Sequence, residues 1–195
     1  MKEEQTLQEE LAIAKKKSAK PMLWVSMISM VMFFAGLTSA YVISMRRDDW
    51  ITFDLPQAFY ISTFLIIISS ISLVLSQKFL KENNRQLSLL FVVATFILGL
   101  GFIWQQYVGF NQLKSSGLFF TGPESTVSTS FIIGITFMHV LHLLAGAIVL
   151  LVVIYNHFKY KYTPENMLGF ELGAIFWHFV DILWIYLFFF FYFIR

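Results

Sequence analysis

The chain has 195 residues, 57% of them hydrophobic and only 13% charged. An average soluble domain carries about 25% charged residues, so this composition, with its 23 phenylalanines, excludes an ordinary soluble fold. The absence of cysteine excludes disulfides, thiolate zinc sites, iron–sulfur clusters and a Cys-ligated copper site, and a net charge of +2 is too small to argue for nucleic acid.

Residues 1–21 read as a polar, basic N-terminal tail. Leu7, Leu11 and Ala14 fall at helical spacing, as in a short amphipathic helix. A tail that meets lipid headgroups through Lys15, Lys16, Lys17 and Lys20 is the open alternative. The uncharged run behind these lysines is longer than the apolar part of a signal peptide, so it is expected to stay as an anchor and first span.

Five apolar runs follow, at about 22–45, 57–77, 86–110, 130–155 and 170–194, within one membrane domain over 22–195. Each is long enough to cross about 30 Å of hydrocarbon at 1.5 Å per residue. In the first, Ala35, Gly36, Ser39 and Ala40 form overlapping small-xxx-small pairs, which predict a face packed against another helix. In the second, Ser69, Ser70 and Ser72 are expected to bond to their own helix's carbonyls. The third carries Gly99 and Gly101 on packing faces, and Gln105-Gln106-Tyr107 toward its far end. All four prolines (21, 56, 123 and 164) are expected in loops shortly before a span. His157 is expected in a solvated loop.

The fold class is therefore all-α: a polytopic membrane bundle of five transmembrane helices. Lysine and arginine set its orientation. Ten lie on the N-terminal side (Lys2, Lys15, Lys16, Lys17, Lys20, Lys78, Lys81, Arg85, Lys159, Lys161) and four on the other (Arg46, Arg47, Lys114, Arg195). That places the N-terminus in the cytoplasm and the C-terminus in the periplasm.

The fifth run holds the most chemistry. Glu171 lies at its edge, His178 and Asp181 near its centre, and Trp177 and Trp184 one heptad apart. The fourth contributes His139 and His142. Counted from the cytoplasmic ends, His178, Asp181 and His142 lie within roughly 8 Å of one another along the membrane normal. An ionisable group at that depth is costly and needs a partner or water. Mutual hydrogen bonding that fixes helix packing is the first reading of these groups. A role in proton uptake or lipid headgroup binding is the second. Metal or haem ligation by His139, His142 and His178 is the third, although a His-x-x-His pair alone is a weak signal. Trp177 and Trp184 read as packing residues whose indole N–H groups need acceptors.

Phe170-Glu171-x-x-Ala174 followed by Trp177-His178-Phe179-Val180-Asp181-x-x-Trp184-x-x-Leu187 resembles the last helix of subunit III of the haem–copper terminal oxidases. Met32-Phe33-Phe34-Ala35-Gly36-Leu37-x-Ser39-Ala40-Tyr41 is similar to a motif of the same family, as is Thr136-x-x-His139-x-x-His142-x-x-x-Gly146, with Val140 where glycine is usual. Gln105 matches the family's glutamine in the third run. Three features depart from the pattern: Met30 replaces a membrane glutamate, a glutamate after Gln105 is absent, and the Trp-Trp-Gly ending is missing. Five spans match the family's short bacterial form.

The resemblance implies a non-redox subunit III of a cytochrome c oxidase-type complex in the bacterial cytoplasmic (inner) membrane. Such a complex serves aerobic electron transport, reducing O2 to water with proton pumping. Its haems and copper reside in subunits I and II. Subunit III packs on the catalytic subunit, binds phospholipid and supports proton uptake. No catalytic, cofactor or metal residue is expected on this chain. His139, His142, Glu171, Trp177, His178 and Asp181 form a buried polar cluster that is structural, or proton- or lipid-linked. A quinol oxidase or nitric-oxide-reductase-associated relative stays open, as does membership of a larger respiratory supercomplex. From another class, so does a stand-alone metal- or haem-binding membrane protein.

Overall fold

The computed structural model describes residues 2–52, 54–119, 122 and 125–194. It consists of five helices: α1 (Lys2–Ser44), α2 (Gln57–Lys81), α3 (Arg85–Ser115), α4 (Val127–Phe158) and α5 (Leu168–Phe193). All five contain segments long and apolar enough to cross a membrane. The described helices run past the apolar runs at several ends, since backbone hydrogen bonding does not stop where the hydrocarbon does.

Helix α1 corrects the expectation for Pro21. The helix is continuous from Lys2 to Ser44 with Pro21 inside it. Proline removes one donor, and the carbonyl this frees belongs to Lys17, in the lysine-rich stretch where water can reach it. The side chains of Leu7 and Leu11, on which an amphipathic reading turns, lie outside the described residues, as do Pro123 and Arg195.

Helices α2 and α3 form the tightest pair, joined by a three-residue turn. Asn83 takes the left-handed conformation (φ 59°), which asparagine tolerates, and the Asn84 side chain accepts from Leu87 N. Ser62, Ser69 and Ser76 are fully buried and recur every seven residues on α2. Gln106 Nε2 donates to Ser62 Oγ (2.9 Å). Ser69 Oγ donates to the Thr95 carbonyl (3.3 Å), and Ser76 Oγ to the Ser88 carbonyl (2.7 Å). Ser72 Oγ donates to the Phe91 carbonyl (2.9 Å). The expectation of purely local serine bonds is thus corrected: these hydroxyls stitch α2 to α3. A heptad spacing keeps them on one face, and a small side chain lets the backbones approach.

Helix α5 is the centre of the bundle. Within its most apolar window 56% of residues are buried, against 28–39% in the other four helices. It packs against α1, α2 and α4, while α3 packs against α2 and α4. α3 and α5 therefore stand across a diagonal, which only large side chains can fill.

Helix α1 leans on α4 and α5 through Met27, Phe34, Thr38 and Tyr41. The small residues Ala35, Gly36 and Ser39 lie on its exposed side. A Cβ added at Gly36 would meet nothing within 4 Å. The small-residue face expected to pack on a helix thus has no partner within the described residues, because the bulky aromatic face of α1 is the one the bundle buries. In the loop after α1, Arg47 grips Asp49 through Nε–Oδ1 (2.8 Å) and Nη2–Oδ2 (3.0 Å), which holds that carboxyl below its usual range.

Candidate functional site

Two tryptophans fill the diagonal. Trp177 Nε1 donates to Ser69 Oγ on α2 (3.1 Å). Its six-membered ring lies over Gly99 of α3 and Gly146 of α4: a Cβ on Gly99 would fall 2.6 Å from Trp177 Cη2, and one on Gly146 3.2 Å from Cε3. Two turns on, Trp184 Nε1 donates to Thr63 Oγ1 (3.0 Å). Its ring meets Phe59, Phe102 and His139 at centroid distances of 5.6, 5.0 and 5.2 Å. The heptad spacing seen in the sequence puts both indoles on one face of α5, and both N–H donors find hydroxyls on α2.

The ionisable groups of α5 lie on neighbouring faces. His178 Nδ1 hydrogen-bonds Ser70 Oγ (2.7 Å), while its Nε2 has no partner among the described residues. Asp181 is 2% exposed and neither carboxylate oxygen makes a hydrogen bond. Ser70 also lies close to that carboxyl, without the geometry of a hydrogen bond to it. An imidazole, a hydroxyl and a carboxyl thus share one patch between α2 and α5. A hydroxyl has one donor and two lone pairs, so it can bond both neighbours as the patch adjusts. Ser70 joins the candidate site here, although as one of three mid-span serines it gave no such signal.

The remaining groups stand apart from this patch. Glu171 pairs with Lys20 of α1 at 2.7 Å, both partly exposed. His142 Nδ1 bonds the Met138 carbonyl one turn back on its own helix (2.7 Å) and packs on Phe33 and Phe34. His139 is fully buried among Phe34, Phe102 and Trp184, and neither ring nitrogen has a partner. No hydrogen bond links His139, His178 and Asp181 to one another. The residue count puts His178, Asp181 and His142 at similar depth, but no hydrogen bond joins His142 to the other two: it bonds its own helix. Around the bundle axis, α2 takes up His178 and the aromatic centre takes up His139. Among the described residues no group of three or more His, Asp or Glu is placed to hold a metal ion.

A second polar centre escaped the sequence reading. His157 is not in a loop: it belongs to α4, is 2% exposed, and its Nε2 bonds Ser88 Oγ (3.0 Å). Arg85, at the start of α3, donates to the carbonyls of His157 (2.7 Å) and Tyr162 (2.9 Å). Its guanidinium also lies over the Tyr160 ring (4.3 Å), and Tyr160 adopts φ 59°. The neighbouring Lys159 and Lys161 made this segment look solvated. The available signal was Ser88, seven residues before Thr95 on the face that meets α2.

Five membrane-length helices around an aromatic centre define a multi-pass, all-α membrane protein. The family profile "Cytochrome c oxidase subunit III" matches residues 1–195, and the chain belongs to that family. It is 33% identical over 135 residues to cytochrome c oxidase subunit 3 of Pyricularia grisea, covering 69% of this chain and 47% of the relative. It is 33% identical over 127 residues to that of Artemia franciscana, covering 65% and 47%. With that of Gallus gallus the identity is 28% over 127 residues, covering 65% and 46%. The chain spans about half the length of the curated relatives it matches.

Proposed function

We infer that this chain acts as the non-redox subunit III of a respiratory haem–copper terminal oxidase of the cytochrome c oxidase type. It stabilises the catalytic subunit I, beside subunit II, in a complex that reduces O2 to water and pumps protons. The family membership of the whole chain carries this reading. The uncovered small-residue face of α1 supports it, because such faces are how membrane helices approach a partner closely. The redox centres belong to the partner subunits; this chain supplies packing and, at His178, Ser70 and Asp181, a set of groups able to hold a proton. The excess of lysine and arginine at the N-terminal side supports an N-terminus in the cytoplasm, and the five spans, as in the family's short bacterial form, support a bacterial inner membrane location. Phospholipid is the expected neighbour of the exposed apolar faces.

The test is a gentle detergent purification through a tag on this chain. The co-purifying subunits, the reduced-minus-oxidised visible spectrum and O2 consumption are recorded. Large haem-bearing membrane subunits with oxidase activity are expected, and the haem bands separate a cytochrome c enzyme from a quinol enzyme. A chain that purifies alone and colourless sinks the reading.

A further inference from the structure

Three buried polar side chains on α3 and α4 have groups with no hydrogen-bond partner among the described residues. His139 and Thr136 are 0% exposed and Gln106 is 1% exposed. Both ring nitrogens of His139, Thr136 Oγ1 and Gln106 Oε1 lack a hydrogen-bond partner. The rings around His139 offer it no acceptor, and the one polar atom of Trp184 is already committed to Thr63. Thr136 stands apart from the other buried threonines among the described residues. Thr38 and Thr95 return their hydroxyls to a carbonyl four residues back, as mid-helix threonines commonly do, Thr129 bonds the Thr126 hydroxyl, and Thr136 makes no such bond.

The three groups occupy one level. Phe102 and His139 meet at 5.9 Å, which aligns α3 and α4 at those residues. Thr136 lies three residues before His139 and Gln106 four residues after Phe102, on adjacent antiparallel helices. Both steps therefore run the same way along the bundle, by about 4.5 and about 6 Å. They stay within roughly 60° of the aligned residues around each helix. A buried carbonyl oxygen, a hydroxyl and an imidazole thus line a single turn of the α3–α4 seam.

We propose that this turn is an internal water site, in which one or two ordered waters donate to Gln106 Oε1 and bond the Thr136 hydroxyl and the His139 imidazole. The donor set matches the ligand: an acceptor, a group that both gives and accepts, and a ring with one N–H and one lone pair. Buried waters typically make about three hydrogen bonds to groups of this kind. The water fixes the tautomer and rotation of His139, which the surrounding aromatic rings leave unset. The site is separate from the Ser70 patch and does not depend on the oxidase reading.

The full chain, with the subunits that co-purify, is placed in lipid nanodiscs with 15N-labelled histidine. Polarisation transfer from water is then measured by solid-state NMR, and the His139 signal is identified by its loss in His139→Gln. A water cross-peak to the His139 ring is expected, weakened in Thr136→Val. That substitution is isosteric, so it should fold. Its melting temperature should fall by about 2–4 °C, because the water loses a partner. Absence of the cross-peak overturns the proposal and leaves weak contacts of the ring N–H with aromatic faces as its only satisfaction. A cross-peak with an unchanged or raised melting temperature overturns the part assigned to Thr136.

Discussion

At the scale of single residues, Trp177 and Asp181 behave in opposite ways. Trp177 is pinned on three sides, by Ser69, Gly99 and Gly146. A methyl group at Gly99 would meet the indole at 2.6 Å, and turning the ring away would break its bond to Ser69. Gly99→Ala should destabilise the chain by about 1–3 kcal/mol, the usual cost of overpacking, read as a lower melting temperature in detergent. Asp181 is buried yet makes no hydrogen bond, so it contributes little to packing through its oxygens. Asp181→Asn keeps the shape and should leave assembly and stability within about 1 kcal/mol of the parent. Sustained O2 turnover should drop if the patch holds a proton. Unchanged turnover would reduce Asp181 to a packing residue. The sequence disclosed the indoles readily, because two tryptophans a heptad apart within an apolar run can only share a face. It did not disclose how the polar groups divide. Depth along a helix can be counted from residue numbers, but the rotation of one helix against another depends on side chains from every neighbour. His178 turned to Ser70 and His139 to the aromatic centre for that reason.

At the scale of elements, the α2–α3 pair rests on hydroxyls. Ser76 and Ser88 are both fully buried and are joined twice, Oγ to carbonyl at 2.7 Å and Oγ to Oγ at 3.3 Å. A double-mutant cycle of Ser76→Ala and Ser88→Ala should return a coupling of about 0.6 kcal/mol, the typical size of an interhelical hydrogen bond in a membrane. Additive effects would mean that the hydroxyls act independently. These helices were legible as apolar runs, but the seam between them was not. A serine hydroxyl reaches its own helix's carbonyl as easily as a neighbour's, so its presence alone selects neither. The repeat Ser62, Ser69, Ser76 was the usable clue, since a seven-residue period marks a contact face. His157 was lost to the opposite error: lysines nearby suggested water, while the helix continued through Phe158 and turned the imidazole inward.

At the scale of the whole molecule, the question is which surfaces are finished. The aromatic side of α1 is covered by the bundle, whereas Gly36 faces open space. Gly36→Ile should therefore leave the stability of the isolated chain within about 1 kcal/mol, since a Cβ at that position meets no described atom within 4 Å. Co-purification of partner subunits should fall sharply, because a bulky residue on a small-residue face keeps a second helix away. Unaltered recovery of partners would place the assembly contact on another face.

The unbroken course of α1 sets a further condition. Its 43 residues, at 1.5 Å each, make a rod of about 65 Å, roughly twice the hydrocarbon thickness. The rod is tied to the bundle where Lys20 meets Glu171, close to Pro21. A flexible tail would act as a leash and limit only the greatest distance at which its end is found. A helix acts as a boom: it fixes both the height of its tip above the bilayer and the compass direction in which the tip points.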